Sequence, residues 1–153
     1  VKTAHDRESF ELSWDLPHSR KKVWRALTES DLLERWIMPN DLRPVVGHQF
    51  TFRQPPSKWW DGVVYGEVLE VVALERLRYT WKAWRKEDGS FGLNTIVVWT
   101  LSPSASGGTH LQLRQSGFAP DAGPAFAGAR AGWDRHVKVM LESLGQLPEE
   151  PLP

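Results

Sequence analysis

Apolar and polar residues alternate along most of the chain and switch to a helical period near its end. In residues 8–16, ESFELSWDL, the side chains of Phe10, Leu12, Trp14 and Leu16 point one way and those of Glu11, Ser13 and Asp15 the other. A period of two predicts a half-buried strand, which Pro17 ends. Ser19 is placed to cap a helix whose apolar face is Val23, Trp24, Ala26 and Leu27. Arg20, Lys21 and Lys22 in its first turn read as a solvated face. Thr28 with Asp31 resembles a capping box for a second short helix, which buries Leu32, Leu33, Trp36 and Ile37 and stops at Pro39.

More strands follow. His48 to Arg53 carries Phe50 and Phe52 on one face, residues 54–60 read as a turn, and Asp61-Gly62 is a hairpin signal. Val63 to Val72 is apolar on both faces, so periodicity alone does not choose its inner side. Aligning Val71 with Leu77 would put Tyr65, Glu67, Leu69 and Val71 on the face of Leu77, Tyr79 and Trp81; the other register turns Glu70 inward. The first buries more apolar area and is the expectation. Leu77 to Trp84 alternates, residues 86–90 form an exposed turn, and Thr95 to Leu101 is β-branched and aromatic. After a Ser/Gly loop, Thr109 to Gln115 is the last strand, with Leu111 and Leu113 opposed by His110, Gln112 and Arg114. Ser116-Gly117-Phe118 is expected to leave the sheet.

From about Ala125, Phe126, Trp133, Val137, Met140, Leu141 and Leu144 recur at spacings of seven, four, three, one and three, which is one stripe of a helix. Asp134, Arg135, Lys138 and Glu142 fall on the opposite, wet side. The order is therefore strand, two short helices, about five strands, long helix. Short connections favour an antiparallel sheet, and curving it around the last helix buries both. The fold class is α+β, in a single domain over residues 1–153 with its core at about 8–145 and frayed termini.

Composition narrows the function. Lys plus Arg equals Asp plus Glu at 19 each, so the chain has no basic excess for a nucleic acid. The second helix carries Leu and Trp where a DNA-reading helix needs polar side chains. There is no cysteine, hence no disulfide or thiolate chemistry. No stretch approaches the roughly 18 apolar residues of a membrane span, and no leader opens the chain, so the expected location is cytoplasmic. Nine tryptophans are the unusual feature.

Several segments then match a known pattern. They are Val23-Trp24-Arg25-Ala26-Leu27-Thr28, Leu32-Leu33-Glu34-Arg35-Trp36, Gly66-Glu67-Val68-Leu69-Glu70-Val71 and Arg76-Leu77-Arg78-Tyr79-Thr80-Trp81. Val97-Val98-Trp99-Thr100-Leu101, Gly108-Thr109-His110-Leu111-Gln112-Leu113, Ser116-Gly117-Phe118 and Gly132-Trp133 continue the series in order. Across Phe10 to Leu144 the chain resembles the activator of heat-shock-protein-90 ATPase homologue-like family. The resemblance implies the helix-grip fold of the START-related (SRPBCC) superfamily, with a cavity between sheet and long helix. It does not imply one activity, because the superfamily includes lipid carriers, cyclases, hydrolases and chaperone regulators, and its motifs are mainly structural and transfer no catalytic residue. A stress-response setting goes with the family name. The chaperone-activating members carry a further N-terminal domain, which ranks a co-chaperone role second.

His5, His18, His48, His110 and His136 form no i,i+4 pair and no cluster with carboxylates, so neither metal nor cofactor is expected. No GxSxG motif supplies a nucleophile. Glu67, beneath the helix in the chosen register, would have its pKa raised by burial; the plainer expectation is pairing with Arg114 or Arg53. Trp36, Tyr65, Trp81, Trp99, Phe118 and Trp133 come from elements that converge on the cavity. With Glu67, His136, Val137 and Met140 they make the expected ligand-binding set. Trp59, Trp60 and Trp84 lie in or near loops and suit an entrance or a partner surface. The expected function is binding a small hydrophobic or aromatic molecule. The alternatives are a protein-interaction module acting on a chaperone ATPase, and a cyclase- or hydrolase-type enzyme using Glu67 or His136.

Overall fold

The alternating stretches build one antiparallel sheet of six strands, seen in a computed structural model that describes residues 8–58, 60–85, 91–119 and 123–147. The strands are β1 Glu8–Leu16, β2 Gln49–Arg53, β3 Trp60–Val72, β4 Arg76–Arg85, β5 Phe91–Pro103 and β6 Thr109–Phe118. Two helices, α1 Arg20–Thr28 and α2 Ser30–Glu34, follow β1, and α3 Gly123–Gly145 comes last. The spatial order is β1-β6-β5-β4-β3-β2, so the first strand pairs with the last and every other neighbour is consecutive. This is the curved sheet and long C-terminal helix of the helix-grip fold. The expected turn at 86–90, Trp59, and the expected frayed ends at 1–7 and 148–153 lie outside the described residues.

Helix α3 lies on the sheet through Trp133, Val137, Met140 and Leu144, all buried, with Phe126 packed at its start. Each such side chain contributes about 1.5–3 kcal/mol of burial, so α3 is indispensable to the core. Leu141 departs from the expected stripe and is exposed. It follows Met140 directly, and 100° of helical rotation carries it off the buried face.

Local signals explain the remaining elements and some corrections. Ser19 caps α1 as expected, its Oγ accepting from the Lys22 backbone N–H at 3.2 Å. Lys22 is not on a solvated face: it is buried, with Nζ 3.1 Å from His18 Nδ1. Thr28 does not cap α2, because its hydroxyl is already spent on the Trp24 carbonyl, 2.7 Å back along α1. Asp61-Gly62 is no hairpin turn. Gly62 sits within β3 at φ +83°, where the pairing with β4 shifts between Trp60 and Val64. A side chain there would collide with the Gln54 carbonyl; the preceding loop is closed by the Gln54 N–H donating to the Gly62 carbonyl at 2.9 Å. Ser116-Gly117-Phe118 stays in the sheet. Gly117, at φ +100°, is the extra residue between the Ser9–Ser116 and Glu8–Phe118 pairs, and it returns Phe118 to the buried face.

The most consequential correction concerns β3. Val71 does pair with Leu77, as expected. Between Val68 and Glu70 the register shifts by one, since Val68 pairs with Tyr79 and Glu70 with Arg78. Leu69 is the extra residue of a β-bulge, and a bulge exchanges the faces on either side of it. Gly62, Val64, Gly66 and Val68 therefore point inward. Tyr65 and Glu67 point outward, and Glu70 reaches Arg76 and Arg78 at 3.5 and 3.7 Å.

Candidate ligand cavity

The inner face of the sheet and the first half of α3 do not close against each other. Between them lies a cavity of about 470 Å³. The helix side is lined by Gly128, Ala129 and Gly132, at relative positions that share one face, then by Trp133, Arg135 and His136. Small residues there leave room that a Leu or Phe would fill. The sheet side is Val64, Trp81, Ala83, Leu93 and Gln115, with Trp60, Trp84 and Gly92 towards the strand ends and Met38 and Gln54 completing the wall.

Trp133 is the hub. Its ring packs edge-on against Trp81 and Trp99, with centroids 5.1 and 5.3 Å away, and against His136 at 5.8 Å. Its indole N–H donates to Gln115 Oε1 at 2.8 Å; Gln115 Nε2 donates to Thr95 Oγ1 at 2.9 Å; the Thr95 hydroxyl donates to the Trp81 carbonyl at 2.9 Å. This chain of three bonds ties the helix to β6, β5 and β4. It also satisfies an amide that is fully buried, where an unpaired one would be costly.

His136 Nδ1 lies 2.9 Å from the Trp36 carbonyl. A carbonyl only accepts, so Nδ1 carries the proton and Nε2 of the neutral ring keeps a lone pair. Burial holds the imidazole below its ordinary pKa; the Trp36 carbonyl opposes this, and the neighbouring Arg135 charge adds to it. Deeper in, the Trp99 indole N–H donates to the Tyr79 hydroxyl at 3.0 Å. Burial raises the Tyr79 pKa far above the usual phenol range.

Of the ten expected ligand-binding residues, Trp81, Trp133 and His136 line the cavity. Trp36, Trp99, Val137 and Met140 are buried behind it; Trp36 packs edge-on to Trp99 at 5.7 Å, and its indole N–H donates to the Ala26 carbonyl. Phe118 is buried in the same core but packs against Phe10 and Phe126, at 5.7 and 5.2 Å, and is not in the cavity lining. Tyr65 and Glu67 lie on the opposite face of the sheet, because of the Leu69 bulge. They line a polar groove there with Arg53, Thr80 and Lys82. Glu67 pairs with neither Arg53 nor Arg114; Arg114 binds Glu11 at 3.1 Å. Among the described residues no group of His, Asp and Glu is arranged to hold a metal ion.

Gln115, Arg135 and the helix glycines were not anticipated. A signal existed for Gln115, since Thr109, Leu111, Leu113 and Gln115 continue one period-two face. Gly128, Ala129 and Gly132 were equally visible as a run of small residues interrupting an amphipathic helix.

Comparison with known proteins agrees with this architecture. The family profile described as Activator of Hsp90 ATPase homolog 1-like protein matches residues 17–145. The crystal structure of protein MLL2253 from Mesorhizobium loti is 35% identical, with TM-score 0.82, covering 92% of this chain and 99% of that one. Protein CV1439 from Chromobacterium violaceum is 25% identical, with TM-score 0.68, covering 89% and 96%. Protein BH1534 from Bacillus halodurans shares the fold at 20% identity and TM-score 0.72, covering 91% and 99%. No curated protein matches the chain. No helix among the described residues is long and apolar enough to cross a membrane.

Proposed function

The chain belongs to the Activator of Hsp90 ATPase homolog 1-like family, and from that premise we propose that it binds a small, largely apolar and aromatic molecule in the cavity beneath α3. The observation that carries this reading is the unfilled volume of about 470 Å³ walled by Trp60, Trp81, Trp84 and Trp133. Its size falls within the range of roughly 300–1,000 Å³ usual for small-molecule sites, and its apolar wall with a few fixed polar groups is their usual chemistry. Flat indole faces contribute contact area at little entropic cost. Trp60 and Trp84, which also suited a partner surface, border this space, which favours a small ligand over a protein partner.

Isothermal titration with 2-naphthamide, a neutral two-ring probe, tests the reading. We expect one saturable site per chain, and Trp81→Ala weakening it about tenfold, the equivalent of about 1.4 kcal/mol of lost stacking and contact area. Gly132→Leu, which fills the cavity from the helix side, should abolish binding while the protein stays folded. Binding that survives both substitutions unchanged would refute the assignment.

A further inference from the structure

The charge pattern of the cavity narrows the class of ligand. Among the described residues that line it, Arg135 is the only permanently charged side chain, and no Asp or Glu lines it. His136 is held towards its neutral form, and Gln54 and Gln115 are uncharged amides.

Arg135 also has no ion pair or hydrogen bond with any described residue. The carboxylate beside it, Asp134, is engaged elsewhere: it accepts from the Trp14 indole N–H at 3.1 Å and pairs with Lys138 at 3.2 Å. The Arg135 side chain folds back along α3. Its Nη2 lies 3.8 Å from the point where a Cβ on Gly132 would sit, and Gly132 itself faces the cavity. The guanidinium therefore lies at the exposed margin of an apolar chamber, over the helix's small-residue stretch, with its donors not used by any described residue.

We propose that the ligand is an aromatic carboxylic acid, its ring system seated against Trp81 and Trp133 and its carboxylate paired with Arg135 at the rim. This rests on the ligand-binding reading above and adds the chemistry of the ligand's polar end. A planar guanidinium matches a carboxylate with two parallel N–H···O bonds. An anion at the rim keeps part of its hydration, whereas one buried among the indoles would pay the full cost of desolvation. The apolar end points inward and the charge outward for that reason.

The test compares 2-naphthoate with 2-naphthamide, which share shape and differ in charge, by isothermal titration at pH 7.5. The naphthoate should bind at least about fivefold more tightly than the amide, in keeping with a partly exposed charge-assisted pair. Arg135→Gln should erase that preference, weakening the naphthoate more than the amide, while Arg135→Lys should keep part of it. Raising the salt concentration should weaken naphthoate binding alone. Arg135 is exposed and makes no ion pair or hydrogen bond with a described residue, so its variants should unfold like the parent; circular dichroism checks this. Naphthoate binding no tighter than the amide, or a preference that survives Arg135→Gln, overturns the proposal and leaves the ligand-binding reading standing. If neither probe binds, both fall together.

Discussion

The bond between Trp133 and Gln115 offers a direct measurement of what fixes the cavity wall. Gln115→Leu keeps the volume of the side chain and removes its amide. Thr95 still donates to the Trp81 carbonyl and loses only a bond it accepted. The main cost is the Trp133 indole N–H, which loses its 2.8 Å partner inside a buried cluster. An orphaned buried donor costs about 1–3 kcal/mol. Trp133→Phe removes that donor, at a price in contact area and with Gln115 Oε1 left unpaired. In the double variant neither orphan remains. The two substitutions should therefore be less destabilising together than their sum by about 1–2 kcal/mol, well beyond the few tenths expected of independent sites. Urea unfolding followed by far-ultraviolet circular dichroism is the appropriate assay, because loss of an indole distorts fluorescence. With a slope of about 2 kcal/mol per molar urea, this coupling corresponds to a midpoint difference of about 0.5–1 M. Additivity to within about 0.5 kcal/mol would refute the reasoning, and would mean that water in the cavity takes up the freed N–H.

Three further predictions follow from single positions. A Cβ on Gly128 meets nothing within 4 Å, so Gly128→Ala should stabilise α3 by about 0.5–1 kcal/mol, a rise in Tm of about 1–4 °C by calorimetry; a fall would contradict the open space beside the helix. His136 should titrate below the ordinary histidine value by NMR. Because the unfolded chain takes up the proton first, stability should drop as pH falls through the unfolded pKa of about 6.5 towards the folded one, and His136→Gln should flatten that slope. Gly62→Ala should cost about 2 kcal/mol or more in urea, since φ is +83° and the new methyl would strike the Gln54 carbonyl; an unchanged midpoint would mean the bulge is not as described.

Much of the fold is legible in the sequence because burial on one side of an element leaves a period. Phe10 to Leu16, the Val23–Leu27 face and the Trp133–Leu144 stripe can be read directly, and the pairing of Val71 with Leu77 follows from preferring the register that buries more apolar area. What cannot be read is the Leu69 bulge. An extra residue in a strand that is apolar on both faces leaves no mark in composition, yet it exchanges the faces of everything before it. Without the bulge, Tyr65 and Glu67 fall on the cavity side, and that alone is why alternation places them there. Gly117 does the same to Phe118 at the other edge, and there a glycine at least marks the position. Trp36 and Trp99 illustrate a different limit. Alternation indicates which side of an element is buried, but it does not distinguish a side chain that meets the cavity from one that packs behind it.

That distinction comes from how α3 divides its length. Its second half presents Val137, Met140 and Leu144, which are buried in the core and do not line the cavity. Its first half presents Gly128, Ala129 and Gly132 where the same sheet carries Trp81 and Gln115, and the gap remains. Glycine within a helix costs about 1 kcal/mol relative to alanine, and an unfilled apolar volume forfeits packing as well. A helix selected only for stability would carry larger residues at these positions. Stability is supplied by the second half, so the first can carry the cavity, with Trp133 at the boundary serving both. Substitutions in the two halves should therefore separate: Met140→Ala should lower stability by about 2–5 kcal/mol with little change in probe affinity, and enlarging Gly132 should abolish binding with little loss of stability. A loss of binding that merely tracks the loss of stability in both halves would mean that the helix is not divided in this way.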